Sequence, residues 1–269
     1  MKPISVQLYS LRAEAEKDFV GVLKRLAKIG YKGVEPAGFW NLTPKELKKI
    51  VTDLGMKISS THSPWANPQN LNQVIEVAGE LDIDLVACGY GPAEFKDMNA
   101  IKATADMVNG MQEKLAAAGI TLFQHNHYWE FDKIDGRIIY DIYAELCPKV
   151  KFELDTYWAA NFGQENAAEQ VKKFKDRCVL LHIKDGALIK GGTQAASESC
   201  KDSILEIKAA AMVAVGSGSN NIKEIIAAAD EKVTRWMIVE LDRCATDMFG
   251  AIEQSYKYLT SKGLASGNK

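Results

Sequence analysis

The sequence predicts an α/β protein built as a (β/α)8 TIM barrel. Three observations point there. Short apolar, β-branched runs alternate eight times with longer amphipathic runs over 269 residues, a length typical of one such barrel. Every one of the 4 histidines (His62, His125, His127 and His182) falls where a predicted strand runs out. The segment after the first strand, SLRAEAEKD, has no glycine-rich turn to cradle a pyrophosphate, which argues against the alternative, an open doubly wound sheet.

Taken in order, the strands are PISVQLY, YKGVE, KISSTH, LVACG, TLFQH, KFELD, VLLHIK and WMIVEL. The helical runs between them are DFVGVLKRLAKIG, TPKELKKIVTDLG, NLNQVIEVAGEL, IKATADMVNGMQEKLAAAG, the shorter RIIYDIYAELC, AAEQVKKFKD, NIKEIIAAAD and MFGAIEQSYKYLTSKG. Their apolar positions recur every three or four residues, as one buried helix face requires. Gly30, Gly55 and Gly119 stand just past predicted helix ends, where a left-handed backbone costs glycine nothing. Thr43 and Asn70 are the expected N-caps.

The whole chain, 1–269, reads as one domain. Residues 186–209 are small, polar and glycine-containing, and are expected to form a long loop after the seventh strand, placed to act as a lid. AMVAVGSGS adds a short extra strand before the seventh helix. EFDKIDGRII reads as a hairpin turning at Asp135–Gly136.

Composition narrows the function. The hydrophobic fraction is 47%, the charged fraction 25% and the net charge −2, ordinary for a globular protein. No basic stripe suits nucleic acid, and no apolar run reaches membrane-spanning length. The 5 cysteines are odd in number and widely spaced, without a CxxC. They read as reduced thiols, and the opening MKPISVQLYS runs straight into a strand. A cytoplasmic location follows as the expectation. A homo-oligomer is expected on general grounds.

The working face of such a barrel is the C-terminal end of its strands. Side chains alternate along a strand, so His125 with His127, Glu153 with Asp155, His182 with Lys184, and Glu240 with Asp242 each share one parity. Polar groups at that depth need partners or a ligand. The residues point to a divalent metal held by His125, Asp155, His182 and Glu240. Two imidazoles and two carboxylates suit Mn, Co, Zn or Fe better than Mg. The plainer alternative for any single one is a hydrogen-bonded structural group. Glu240, His127 and Glu130 are the acid–base candidates. Glu35, His62, Trp158 and Lys184 are expected to contact substrate, with Lys184 pairing internally with Glu153 as the favoured alternative. Trp40, Trp65, Tyr128, Trp129, Tyr157 and Trp158 would supply aromatic rims for a sugar ring.

VQLYSLR, GYKGVE, HNHYWEFDKIDGR, FELDTYWAANFG and RCVLLHIKD, in this order and spacing, resemble the xylose isomerase-like TIM barrel superfamily, the sugar phosphate isomerase/epimerase group. The resemblance covers nearly the whole chain. It implies a divalent ion held by one side chain from each of strands five to eight, which falls on His125, Asp155, His182 and Glu240. It implies a small-molecule carbohydrate substrate, a keto-sugar or related polyol, isomerised or epimerised through an enediolate. Two departures stand out. The ketose 3-epimerases of the group carry a glutamate where His125 stands, so His127 or Glu130 would have to oppose Glu240. The group's glycine–glutamate–glycine motif reads Gly216–Ser217–Gly218. These departures favour, as the alternative, a lyase that dehydrates or hydrates a keto-sugar or inosose. A non-catalytic sugar-binding barrel is the third reading. A DNA endonuclease of the same superfamily would need more ligands and a basic groove.

Overall fold

The computed structural model describes residues 1–161, 165–188, 212–244 and 246–269. Its main sheet has eight strands: β1 Ile4–Gln7, β2 Gly33–Glu35, β3 Lys57–Ile58, β4 Leu85–Cys88, β5 Thr121–His125, β6 Lys151–Asp155, β7 Cys178–Ile183 and β8 Trp236–Val239. They run in the order β3-β2-β1-β8-β7-β6-β5-β4, every pairing parallel. A parallel bridge between Thr61 and Val86 joins β3 back to β4, which closes the TIM barrel. Each predicted strand is present. The third is the shortest, because KISSTH leaves the ladder after Ile58 and rejoins only at Thr61.

The described helices are α1 Arg12–Ile29, α2 Pro44–Asp53, α3 Leu71–Leu81, α4 Met98–Ala117, α5 Ile139–Leu146, α6 Thr156–Ala160, α7 Ala167–Lys173, α8 Ile222–Ala228 and α9 Met248–Ser261. None is long and apolar enough to cross a membrane. Thr43 caps α2 as expected: its Oγ1 accepts the Glu46 N–H at 3.2 Å, and Glu46 Oε2 accepts the Thr43 N–H at 2.8 Å. Asn70 does not cap α3. Its side chain is taken up by the preceding loop, accepting from Asn67 N at 2.9 Å and donating to Trp65 O at 2.9 Å. That ties down the turn carrying Trp65.

The predicted hairpin pairs Lys133–Ile134 with Arg137–Ile138. Asp135 and Gly136 both have positive φ (50° and 77°), which a tight two-residue hairpin turn requires. The extra strand is Met212–Val213, antiparallel to Asp185–Gly186. Beyond residue 188, the expected lid lies outside the described residues. The carboxylate of Asp185 gathers the chain that follows, accepting from the backbone of Gly216 at 2.8 Å, Gly218 at 3.0 Å and Asn220 at 3.0 Å. A Cβ on Gly218 would lie 2.2 Å from Asp185 Oδ1, so this glycine serves close backbone approach.

The core has two parts. One lies between strands and helices. The other is a plug formed by Leu85, Ala87, Phe123, Val179, Leu180, Trp236 and Ile238. Within it the Trp236 ring sits so close to β2 that a Cβ at Gly33 would fall 2.8 Å from it. Above this plug the barrel's side chains change from apolar to polar.

Candidate metal and acid–base site

Two-residue periodicity carries each strand from plug to site. Phe123 leads to His125 on β5, Leu180 to His182 and Lys184 on β7, and Ile238 to Glu240 just past β8. Glu153 and Asp155 rise together on β6, and Glu35 ends β2. All of these side chains are buried. His62 arrives from the loop after β3 and is also buried.

His182 stands at the centre. Its Nε2 is 2.7 Å from Glu35 Oε2 and 3.1 Å from Glu153 Oε1, and its Nδ1 is 2.7 Å from Glu240 Oε2. His62 Nε2 lies 2.6 Å from Glu153 Oε2, and His125 Nδ1 lies 3.1 Å from the same oxygen. Lys184 Nζ sits among three carboxylates, 2.7 Å from Asp155, 2.8 Å from Glu240 and 2.9 Å from Asp242. The expected pair of Lys184 with Glu153 is therefore replaced. The register explains why: Glu153 is level with Leu180 and Asp155 with His182, so Lys184 emerges one layer above Asp155 and two layers above Glu153.

The four donors expected from strands five to eight are brought together. One ligand atom from each of His125, Asp155, His182 and Glu240 lies within 4.8 Å of the others, and all four residues are buried. Donors around one ion bound at roughly 2.0–2.2 Å are spaced on this scale. Asp155 Oδ2, His182 Nδ1 and Glu240 Oε2 make no hydrogen bond of good geometry, although charged neighbours surround them. Crowded, misaligned, buried donors of mixed imidazole and carboxylate type fit a divalent ion.

The electrostatics agree. Burial pushes His125 down to about 4, so its ring is neutral and free to ligate. Burial pulls His182 down, but Glu153, Glu240 and Glu35 outweigh it and hold the pKa well above its usual value. Burial likewise opposes charge on His62, yet Glu35 and Glu153 raise it. Burial opposes charge on Glu240, but Lys184 and then His182 hold it well below the carboxylate range. Asp155 is pushed up to about 6, mainly by burial.

A cavity of about 290 Å³ opens over this cluster, lined by Tyr9, Ala37, His62, Trp65, His125, His127, Glu240 and Asp242. Small-molecule sites commonly start near that size, at roughly 300 Å³. His127 stacks face to face on Trp129, with ring centroids 4.3 Å apart. Burial holds its pKa well below normal, and its Nδ1 has no hydrogen-bond partner. Glu130 is fully enclosed and accepts the His127 backbone N–H at 2.9 Å. Burial lifts it to about 8. It therefore positions the His127 backbone from below and is not part of the cavity wall.

Glu35 and Lys184 also lie beneath the cavity, and Trp158 stands beside Lys184, whose Nζ is 5.6 Å from its ring centre. At the mouth the exposed aromatic rings are Tyr9 and Trp65. Sequence reasoning missed Tyr9, and it missed the supports of Glu35: Gln7 Nε2 donates to Oε2 at 2.7 Å and Ser60 donates to Oε1. Gln7 closes the first strand, a position that the rule of polar residues at strand ends would have caught.

Fold and site together define a closed (β/α)8 barrel with a buried histidine–carboxylate cluster at the C-terminal ends of its strands. The chain belongs to the xylose isomerase-like TIM barrel family, whose model matches residues 23–262. A sugar phosphate isomerase/epimerase from Parabacteroides distasonis is similar over 98% of this chain and 96% of its own, with 26% identity and a TM-score of 0.76. The IOLI protein with a bound zinc atom shares the fold, with 14% identity, a TM-score of 0.72, and coverage of 99% of this chain and 98% of its own. So does a probable 3-DHS dehydratase from Bacillus anthracis, with 13% identity, a TM-score of 0.70, and coverage of 96% and 98%. No curated protein sequence matches the chain.

Proposed function

We propose that this protein is a divalent-metal-dependent isomerase or epimerase of a keto-sugar or related polyol, working through an enediolate. The observation that carries the reading is the buried cluster of His125, Asp155, His182 and Glu240 beneath a small cavity walled by a neutral imidazole, His127. The similar Parabacteroides protein, described as a sugar phosphate isomerase/epimerase, supports the substrate class. The zinc in IOLI supports a metal in a barrel of this shape.

His125, Asp155, His182 and Glu240 would hold the ion. When bound, it supplies Lewis acidity toward a carbonyl oxygen and so acidifies the neighbouring C–H. Glu240 reaches the cavity as a carboxylate, kept ionised by Lys184 and His182, and takes the proton from that carbon. His127, uncharged and with an unpartnered Nδ1, exchanges a proton with the substrate as the second acid–base group. Reprotonation on the neighbouring carbon gives isomerisation. Reprotonation on the opposite face gives epimerisation. Tyr9 and Trp65 cover the mouth and present aromatic faces to a sugar ring.

A lyase is the second reading. The imidazole His125 stands where the family's ketose 3-epimerases place a carboxylate, and His127 is suited to protonate a departing β-hydroxyl. The similar Bacillus protein, described as a probable 3-DHS dehydratase, supports this reading. Product mass separates the readings, because loss or gain of water cannot be an isomerisation.

The test is α-proton exchange of keto-sugars in deuterated water with Glu240→Gln, at confirmed metal content. The exchange should vanish in the variant. Unimpaired exchange sinks the assignment, and a sugar recovered unchanged from the parent after long incubation with metal moves the protein to a binding role.

A further inference from the structure

We propose that the barrel has a second cation station, one layer below the first, formed by His62, His125, Glu153 and His182. The inference rests on the metal reading above and adds where the ion can sit. One ligand atom from each of these four buried residues lies within 4.8 Å of the other three. The three imidazoles converge on one carboxylate: His62 Nε2 at 2.6 Å and His125 Nδ1 at 3.1 Å from Glu153 Oε2, and His182 Nε2 at 3.1 Å from Glu153 Oε1. Glu153 is fully buried, and its Oε1 makes no hydrogen bond of good geometry.

The neighbouring cations separate the two stations. In the upper set, both carboxylates already share the Lys184 ammonium, at 2.7 Å from Asp155 and 2.8 Å from Glu240. An ion entering there meets a positive charge against two of its own ligands. Among the described residues, the ion pairs of Glu153 in the lower set run to His62, His125 and His182, which ligate as neutral groups. Glu35 lies close by, 3.6 Å from His62 Nε2 and 2.7 Å from His182 Nε2, and adds negative charge without a bond to lysine or arginine among those described. Of the buried carboxylates Glu35, Glu153, Asp155 and Glu240, the last two pair with the buried Lys184 ammonium, and the first two pair with no lysine or arginine among the described residues. The lower pair therefore needs a cation of its own or protonated imidazoles.

Ligand type points the same way. Three imidazoles and one carboxylate favour Zn or Co over Mn or Mg. His182 turns Nε2 to the lower set and Nδ1 to Glu240. Because His125 and His182 belong to both sets, the stations are alternatives for one ion.

The test uses metal-free protein and cobalt(II) alone, followed by mass spectrometry and visible absorption. The double variant Asp155→Asn/Glu240→Gln removes both upper carboxylates. Asn keeps an oxygen able to accept the Tyr157 and Trp158 N–H groups that Asp155 Oδ1 now accepts. The folded double variant should still take up one equivalent of cobalt, and adding His62→Ala and Glu153→Gln should abolish uptake. A folded double variant that binds no cobalt, beside a parent that binds one equivalent, overturns the lower station and leaves the upper one standing. A parent that binds none overturns the metal reading itself. Should the double variant not fold, crystals of the parent soaked in cobalt and measured at the cobalt absorption edge decide the matter. Anomalous density within bonding distance of Glu153 and His62 supports the lower station, and density confined to Asp155 and Glu240 overturns it.

Discussion

Glu35, at the end of the second strand, places its Oε2 2.7 Å from Nε2 of His182 on the seventh. A carboxylate against Nε2 fixes the tautomer and orientation of the ring and so aims Nδ1, the nitrogen turned to Glu240, at the upper ligand set. Glu35 is itself held by Gln7 and Ser60, so the ring is oriented by a chain of contacts reaching the first strand. Glu35→Gln should lower affinity for Zn or Co by roughly 10–100-fold, read by competition with a chelator. His182→Ala, which removes a donor from both ligand sets, should leave no stoichiometric metal. An unchanged affinity in Glu35→Gln would show that the contact does not orient a ligand.

Metal uptake should release protons. Burial disfavours charge on His62 and His182, but the surrounding glutamates overcome it and raise both above the usual histidine value. A ring whose pKa is raised keeps its proton to higher pH in the metal-free protein than an ordinary histidine does, and a ligating nitrogen must lose its own. Binding should therefore strengthen as pH rises through the raised histidine range and weaken below it. Titration calorimetry in buffers of different ionisation enthalpy checks this. A heat that does not change with buffer would contradict it.

Lys184 is 1% exposed and touches three carboxylates. Removing one partner of a buried ion cluster leaves uncompensated charge and typically costs about 3–5 kcal/mol. Lys184→Met should show a loss of that order in metal-free protein. Added divalent ion should recover part of it, because the ion neutralises the same Asp155 and Glu240 oxygens. Thermal unfolding with and without metal reads both effects. An equal loss under the two conditions would mean that the lysine and the ion do not compete for these carboxylates.

The barrel and the gathering of its polar residues were legible because both follow from period. Strand ends in a barrel converge, so side chains of one parity at those ends must approach one another. That is why His125, Asp155, His182 and Glu240 group together on the sequence pattern alone. Partners within the cluster were not legible. Which residue Lys184 meets depends on the stagger between β6 and β7, including the register shift at Phe152/Glu153, and no local pattern encodes stagger. Depth was hidden for the same reason: Glu130 and His127 read alike in HNHYWE, yet one is sealed below the cavity and the other walls it. Asn70 had the chemistry of a cap and the place of one, but Asn67 and Trp65 compete for its side chain.

Glu130 gives a prediction whose sign follows from its burial. Its ordinary pKa is 4.5, and the fold lifts it to about 8. Below 4.5 the carboxyl is protonated whether the chain is folded or not, and it costs nothing. Between 4.5 and about 8 the folded chain keeps a proton that the unfolded chain releases, so stability falls as pH rises. The slope is at most roughly 1.4 kcal/mol per pH unit. Above about 8 the full cost is present. Glu130→Gln keeps an acceptor for the His127 N–H but cannot ionise. It should match the parent near pH 5 and exceed it in stability near pH 9, about one unit above the shifted value. Urea denaturation at the two pH values reads the difference. A gap between parent and variant that is the same at both would mean that Glu130 does not titrate in this window, and that its hold on the His127 backbone owes nothing to its protonation state.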